Sequence, residues 1–234
     1  MFFTNQQATR RKPYKMAVIP SLESRPYQTG ITLPICFTED SIALVHFAKI
    51  RETDAVLDIG TGNGVLCLYA EARYGGTYTG IDVDEAQIAL AQRSAERNGQ
   101  PIRFLTLSAS DAPDAFGHGA FTHVLMNPPY FASGDRGAHA AARHADGSQL
   151  SEWLHAAFLL LKNGGTLSLC FPAERLAALF RALDENRFAP KRMRLLLSGQ
   201  RARLALIEAK KLGKDGLTVT VEPDRSDPLS KKLV

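Results

Sequence analysis

Two short stretches of this 234-residue chain contain the residue types and spacings that could do chemistry. The first, AVLDIGTGNG over residues 55–64, is an apolar run that ends in alternating glycines. It predicts a buried strand that turns tightly into a helix. Glycine allows positive φ and a close approach of a ligand to the backbone, and a helix N-terminus offers unpaired N–H groups. Asp58 adds a carboxylate that could attract the cationic end of a ligand.

The second stretch is the tetrapeptide Asn127-Pro128-Pro129-Tyr130 at the end of another predicted strand. Two prolines could simply end that strand. This structural explanation accounts neither for the Asn immediately before the prolines nor for the Tyr immediately after them. We therefore treat the tetrapeptide as a second candidate site.

The glycine spacing separates several nucleotide-binding classes. A dinucleotide fingerprint would place the third glycine one residue later, where Val65 stands, and a P-loop would need a lysine after the turn. The sequence Asp-x-Gly-x-Gly-x-Gly over 58–64 instead resembles the first motif of class I S-adenosylmethionine-dependent methyltransferases. The alternative is an ordinary glycine-rich turn without a ligand.

Asn127–Tyr130 resembles the fourth motif of methyltransferases that modify a nitrogen conjugated to a planar π system, such as adenine, guanine or a glutamine amide. The resemblance implies catalytic roles for three residues. The Asn127 side-chain oxygen and the Pro128 carbonyl would accept hydrogen bonds from the amine. Tyr130 would stack on the base.

The same resemblance implies further contacts to S-adenosylmethionine. Asp82 ends the second predicted strand, where an acid can bind ribose hydroxyls. Asp84, with Gln87, instead fits a helix capping box. Asp111 could meet the adenine amino group or cap a helix before Ala112, and both alternatives stay open. The predicted donor site comprises Asp58, Gly60, Thr61, Gly62, Asp82, Val83, Asp111, Ala112 and Asn127.

Strand and helix patterns alternate along the chain after a lead-in helix near residues 41–50. This order predicts an α/β fold of Rossmann-like, doubly wound type. We expect a mostly parallel seven-stranded sheet with helices on both faces and an antiparallel last strand. The predicted domains are a basic, mostly irregular segment 1–27, a single methyltransferase domain 28–210 with a mobile loop 131–147, and a basic tail 211–234.

Charge is unevenly distributed. Residues 1–30 carry five basic and one acidic side chains (+4), residues 31–186 carry 11 and 18 (−7), and residues 187–234 carry 12 and five (+7). Basic flanks suit a polyanion, although solvated surface is the simpler alternative. No apolar run is long enough to cross a membrane. Three scattered cysteines indicate a cytoplasmic protein without a metal site.

The resemblance over residues 28–210 extends to bacterial tRNA (adenine-N6) methyltransferases that modify a valine tRNA near the anticodon. It includes Asp40, the run Asn127–Gly134, and Leu150 with Trp153. Thr122 stands where that family usually has an acid. The resemblance implies a methyltransferase acting on the exocyclic amine of adenine in RNA, with tRNA as the expected partner. The alternatives are another planar amine (rRNA guanine or protein glutamine), a silent RNA-binding module, or a nicotinamide-dependent enzyme.

Overall fold

The computed structural model describes residues 39–128 and 147–222, and all of them lie in one compact unit, 32–234. The helices are α1 (Glu39–Phe47), α2 (Val65–Tyr74), α3 (Glu85–Asn98), α4 (Ala112–Phe116), α5 (Gly147–Leu160) and α6 (Leu176–Glu185). The strands are β1 (Ala55–Ile59), β2 (Thr77–Asp82), β3 (Arg103–Thr106), β4 (Phe121–Met126), β5 (Leu161–Pro172), β6 (Phe188–Ser198), β7 (Arg201–Lys211) and β8 (Thr218–Glu222).

These strands form a single sheet in the order β3-β2-β1-β4-β5-β7-β6-β8. Strands β1 to β5 are mutually parallel, and β7 runs antiparallel to both of its neighbours. The order reverses at β1, so the loops after β1 and β4 leave the sheet side by side. Ligands of open α/β sheets bind at this kind of crevice.

Helices cover both faces of the sheet. On one face α2 contacts α1 and α3, and on the other α5 contacts α4 and α6. The second face holds the main apolar core, in which Leu57 and Val124 of the central strands pack with Leu154 and Leu179 of the helices. The predicted α/β class, parallel sheet and two helical layers are thus confirmed.

The predicted strand count was wrong, because the sheet has eight strands. The antiparallel strand β7 is followed by β8, which pairs in parallel with β6. The sequence TVTVE of β8 alternates β-branched residues, a pattern typical of a strand. It lies inside the stretch predicted to be a basic tail, and β7 itself runs to Lys211.

Several predicted boundaries also moved. β6 and β7 are 11 residues each and join through a two-residue turn, whereas the sequence predicts strands over only 193–197 and 204–208 with a turn over 198–202. The sequence also predicts a strand over 166–171 after a helix that ends at Asn163-Gly164-Gly165. Instead β5 begins at Leu161 and includes those three residues, with a register shift opposite β4. Segment 1–27, most of loop 131–147 and residues 223–234 lie outside the described residues. None of the described helices is long and apolar enough to span a membrane.

Candidate functional site

The glycine loop joins β1 to α2 and is tied to the neighbouring strand. The N–H groups of Gly60 and Thr61 both donate to the carbonyl of Ile81 on β2, at 2.9 Å each. Gly60 has φ +72°, and a methyl group there would lie 2.5 Å from the ring of Trp153 on α5. Gly62 has φ +53°, and among the described residues no atom lies within 4 Å of the position that a methyl group would take, so its α-carbon faces open space there. One glycine is therefore needed for packing, and the other leaves room beside the loop.

Asp58 lies beneath this loop and is fully buried. Its Oδ2 accepts a hydrogen bond from the Thr61 hydroxyl at 2.7 Å. Within the described part of the chain Oδ1 is buried and has no hydrogen-bond partner. Burial is the main reason why the pKa of Asp58 is raised to about 7, with a smaller contribution from the negative charge of Asp82.

Asp82 and Asp84 have different roles, and Asp84 caps a helix as the sequence predicted. Asp84 is the N-cap of α3, and its Oδ1 accepts from the N–H groups of Ala86 and Gln87 at 2.9 and 3.3 Å. Asp82 accepts from the N–H of Gly62 at 2.8 Å and from that of Asp84 at 3.0 Å. The Asp82 carboxylate therefore braces the glycine loop against β2.

The loop after β3 holds the third predicted acid. Asp111 stands at the N-cap position of α4 but makes no side-chain cap hydrogen bond. Instead the Ser108 hydroxyl donates to its Oδ2 at 2.6 Å, so capping by the carboxylate is excluded as its role. Ala112 is buried, whereas Val83, directly after Asp82, is 72% exposed. An exposed apolar side chain at this edge is available to a planar ligand.

Asn127 follows β4 and is partly exposed. Its Nδ2 donates to the Ser41 hydroxyl of α1 at 3.1 Å. Its Oδ1 is in contact with the thiol of Cys170 on β5, which is the donor of the pair. Because β4 lies between β1 and β5, this amide is at the same edge as the glycine loop. Pro128 is buried beside it, and Tyr130 lies outside the described residues.

Three residues with contacts at this edge were not assigned to the site from the sequence. Ser41 and Cys170 hold the Asn127 amide, and Trp153 packs against Gly60. Trp153 had a weak signal, because it belongs to the family resemblance around Leu150. Ser41 and Cys170 had none, since their positions relative to Asn127 depend on how α1 and β5 dock.

The described residues fit S-adenosylmethionine, which carries an ammonium group and no phosphate. The unpartnered Oδ1 of buried Asp58 lacks a donor that an ammonium would supply. The open space beside Gly62 leaves room for a ligand against the backbone. Asp82 has carboxylate lone pairs beyond its two protein hydrogen bonds. Among the described residues, no three His, Cys, Asp or Glu side chains group as a metal site.

Comparison with known proteins points to the same chemistry. Residues 56–165 match a family model described as a methyltransferase domain. A tRNA1(Val) (adenine(37)-N6)-methyltransferase of Shewanella amazonensis is 31% identical over 66% of this chain and 67% of its own length. The protein of that name in Shewanella baltica is 30% identical over 68% and 69%. The one in Shewanella sediminis is 29% identical, and this chain spans only 63% of its length.

Solved structures share the fold. A predicted O-methyltransferase of Agrobacterium tumefaciens superposes with a TM-score of 0.66 over 83% of this chain and 94% of its own, at 20% identity. TrmN of Thermus thermophilus superposes with a TM-score of 0.58 at 28% identity, over 74% of this chain and 48% of its own. Sequence, site and fold agree, and the chain belongs to the S-adenosylmethionine-dependent methyltransferases, in the family that includes the three Shewanella proteins.

Proposed function

We propose that this chain transfers a methyl group from S-adenosylmethionine to the exocyclic N6 amine of an adenine in tRNA. The names of the relatives suggest adenine 37 of a valine tRNA as the target. The observation that carries the proposal is the partly exposed Asn127 amide at the end of β4. β4 pairs directly with β1, whose glycine loop leads into the open space beside Gly62.

The amine of adenine is a poor nucleophile because its lone pair is delocalised into the ring. Two acceptors aimed at its two hydrogens favour a pyramidal nitrogen and free that lone pair. In our proposal the acceptors are Oδ1 of Asn127 and the carbonyl of Pro128, and the fixed φ of proline keeps the carbonyl in place. Tyr130 would stack on the base. Alignment at the reacting nitrogen then supplies much of the catalysis.

The donor contacts in this proposal come from the neighbouring strands. When bound, S-adenosylmethionine supplies an electrophilic methyl group. Asp58 neutralises the ammonium end of the donor, and Asp82 accepts hydrogen bonds from the ribose. Val83 covers one face of the adenine ring, and Asp111 accepts from the adenine amino group. These roles follow from the family resemblance and from the position of each residue at the carboxyl edge of the sheet.

A basic border at the same edge supports an RNA substrate. Because β7 is antiparallel, the β6–β7 turn lies at the edge where β5 ends, with Leu204 opposite Pro172. Arg201 at this turn is exposed, and the half-buried Arg175 lies three residues after the end of β5, next to the acidic Glu174. Guanidinium groups at these positions are placed to neutralise phosphates of an RNA whose base enters the site.

The proposal is tested with the full chain, labelled S-adenosylmethionine and bulk tRNA that lacks N6-methyladenosine. We expect N6-methyladenosine in the digested tRNA by mass spectrometry. Asn127→Ala should abolish transfer and leave donor binding within about twofold, because the amide acts on the acceptor base. The same assay is repeated with rRNA and with a protein extract as acceptors, and label in a guanine of rRNA or in a protein glutamine would favour the alternative substrates. Donor binding without transfer to any of these would indicate a silent module.

Arg201 offers a separate test of the RNA surface. We expect Arg201→Ala to weaken tRNA binding and to lower the salt-dependence slope by about one, because one phosphate contact is lost. Arg97→Ala is the matched control, since Arg97 is also exposed but lies at the end of α3, toward the opposite edge of the sheet. Equal losses in both variants would contradict the proposed border.

A further inference from the structure

We propose that Ser41 and Cys170 are positioning residues that set the orientation of the Asn127 amide for methyl transfer. The inference rests on the proposed function of Asn127 and adds two residues that do not touch the substrate themselves. Ser41 comes from α1 and Cys170 from β5, so two separate elements fix one catalytic side chain.

The two contacts hold both ends of the amide. The Cys170 thiol lies against Oδ1, and Nδ2 donates to the Ser41 hydroxyl 3.1 Å away. The thiol is a weak donor, so the hydroxyl is the stronger of the two hydrogen-bond partners. Together the two contacts fix the plane of the amide and place its oxygen on the Cys170 side.

This orientation is compatible with catalysis. An amide oxygen has two lone pairs, so Oδ1 can accept from the Cys170 thiol and still accept from a substrate amine. Asn127 is partly exposed, whereas Ser41 is 4% exposed and Cys170 is fully buried. The substrate can thus reach the amide, while the two positioning groups are shielded behind it.

The positions of Ser41 and Cys170 are themselves well fixed. Next to Ser41, the Asp40 carboxylate accepts from both guanidinium nitrogens of Arg203 on β7, at 2.6 and 3.1 Å. At the other end of α1, Arg192 of β6 donates to the Phe47 carbonyl at 2.7 Å. Cys170 lies within β5, between β4 and β7. The position of the amide therefore depends on helix α1, which is hydrogen-bonded to the sheet at both ends, and on the interior strand β5.

Loss of either partner should release the amide. The terminal torsion of asparagine is broad and roughly two-fold, so an amide held at only one end turns more freely and populates other orientations. The flipped form offers an N–H donor where the substrate amine needs an acceptor. We expect Ser41→Ala and Cys170→Ala each to slow single-turnover transfer to tRNA by roughly 5- to 10-fold, the usual cost of one hydrogen bond.

Conservative variants separate positioning from packing. Cys170→Ser keeps a donor of similar size, and Ser41→Thr keeps the hydroxyl, so both should retain transfer within about threefold of wild type. Donor affinity should stay unchanged in all four variants. It can be followed by the fluorescence of Trp153, the only tryptophan of the chain, which packs on Gly60. If Cys170→Ser is as slow as Cys170→Ala, or if the alanine variants transfer at the wild-type rate, the inference is overturned.

A second readout does not need activity. The side-chain amide resonances of Asn127, identified by their loss in Asn127→Ala, should shift in Ser41→Ala and Cys170→Ala and return toward wild type in the conservative variants. Unchanged resonances in the alanine variants would overturn the positioning role. If the resonances shift in the two alanine variants but the wild-type chain methylates no RNA, the contacts that position the amide are supported and the proposed function is refuted.

Discussion

At the scale of single residues, the unusual group is Asp58. Folding buries this carboxylate completely, and the described residues give a donor to only one of its oxygens. Burial of a carboxylate without full hydrogen bonding is costly, and the raised pKa expresses that cost. An ammonium group in contact with Oδ1 would offset it. In the proposed function, the ammonium end of the donor would offset this cost of burying Asp58.

Donor binding should depend on pH through Asp58. The pKa of Asp58 is raised to about 7, so below that pH the residue is neutral in the donor-free protein. Binding of an ammonium favours the carboxylate, and affinity for S-adenosylmethionine should fall by up to about tenfold per pH unit below 7. Titrations monitored by Trp153 fluorescence between pH 5.5 and 8 would measure this. Asp58→Asn should bind more weakly at pH 8 and lose the dependence; an unchanged slope would contradict the role.

Two glycines of the loop should respond differently to alanine. Gly62→Ala should cost roughly 1–2 kcal/mol of unfolding free energy, because only the left-handed backbone opposes it. Gly60→Ala should cost more, since its methyl also lies 2.5 Å from the Trp153 ring. Gly99→Ala at the end of α3 is the control for the backbone effect, with φ +64° and no close neighbour.

Chemical denaturation of the three variants measures these changes in unfolding free energy. Titration with the donor then shows which of the substitutions also affects donor binding. Gly62→Ala should weaken donor binding, because its methyl enters the open space beside the loop. Gly99→Ala should leave binding unchanged. Equal stability of the Gly60 and Gly62 variants would contradict the packing role of Trp153.

At the scale of elements, local signals settled some boundaries and not others. The sequence predicts a helix over Glu85–Asn98, and α3 has these bounds, because Asp84 caps its start and Gly99 adopts the left-handed conformation at its end. Those signals lie in adjacent residues. The long hairpin β6–β7 was predicted at half its length, because its outer residues are basic and polar and show no apolar alternation.

Thr122 shows how an element is aligned by one side chain. Its hydroxyl donates to Oδ1 of Asp54 at 2.9 Å and accepts from the N–H of Ala55 at 3.0 Å, which ties β4 to the start of β1. Thr122→Val keeps the shape and removes both hydrogen bonds, so we expect a loss of about 1–2 kcal/mol in unfolding free energy.

Thr77→Val provides the control for this substitution. Thr77 opens β2, its side chain is exposed, and the change should stay within about 0.5 kcal/mol. Urea denaturation of both variants would give the two values. If Thr122→Val is as stable as the control, the bridge between β4 and β1 contributes nothing to stability.

At the scale of the whole molecule, two buried groups have opposite effects on the stability of the fold as the pH falls. His123 on β4 is buried, bonds to the Ser168 hydroxyl at 2.9 Å, and has its pKa lowered to about 4, chiefly by burial. The unfolded chain takes up this proton first, so His123 destabilises the fold as pH falls from about 6.5 toward 4. Asp58 does the reverse, since its folded pKa is raised and it favours the fold as pH falls below 7.

Variants separate these two effects. His123→Gln should remove a loss of about 3 kcal/mol between pH 7 and pH 4, so its stability relative to wild type should rise in acid. Asp58→Asn should show the opposite trend relative to wild type. Urea denaturation at several pH values measures both. Parallel curves for wild type and His123→Gln would mean that the pKa of His123 is the same in the folded and unfolded chains and would contradict the lowered pKa.

The sequence by itself determined the fold class and the family, because each depends on residues close together in the chain. Asp58 with its glycines, Asp84 with its helix, and Asn127 with its prolines are local patterns, and alternating strands and helices require a mostly parallel sheet, although they did not fix its number of strands. Only the tertiary structure decided which distant groups meet. The contacts of Asn127 with Ser41 and Cys170 span 86 and 43 residues of sequence. Docking of α1 and β5 brings them together, and no local pattern encodes that packing.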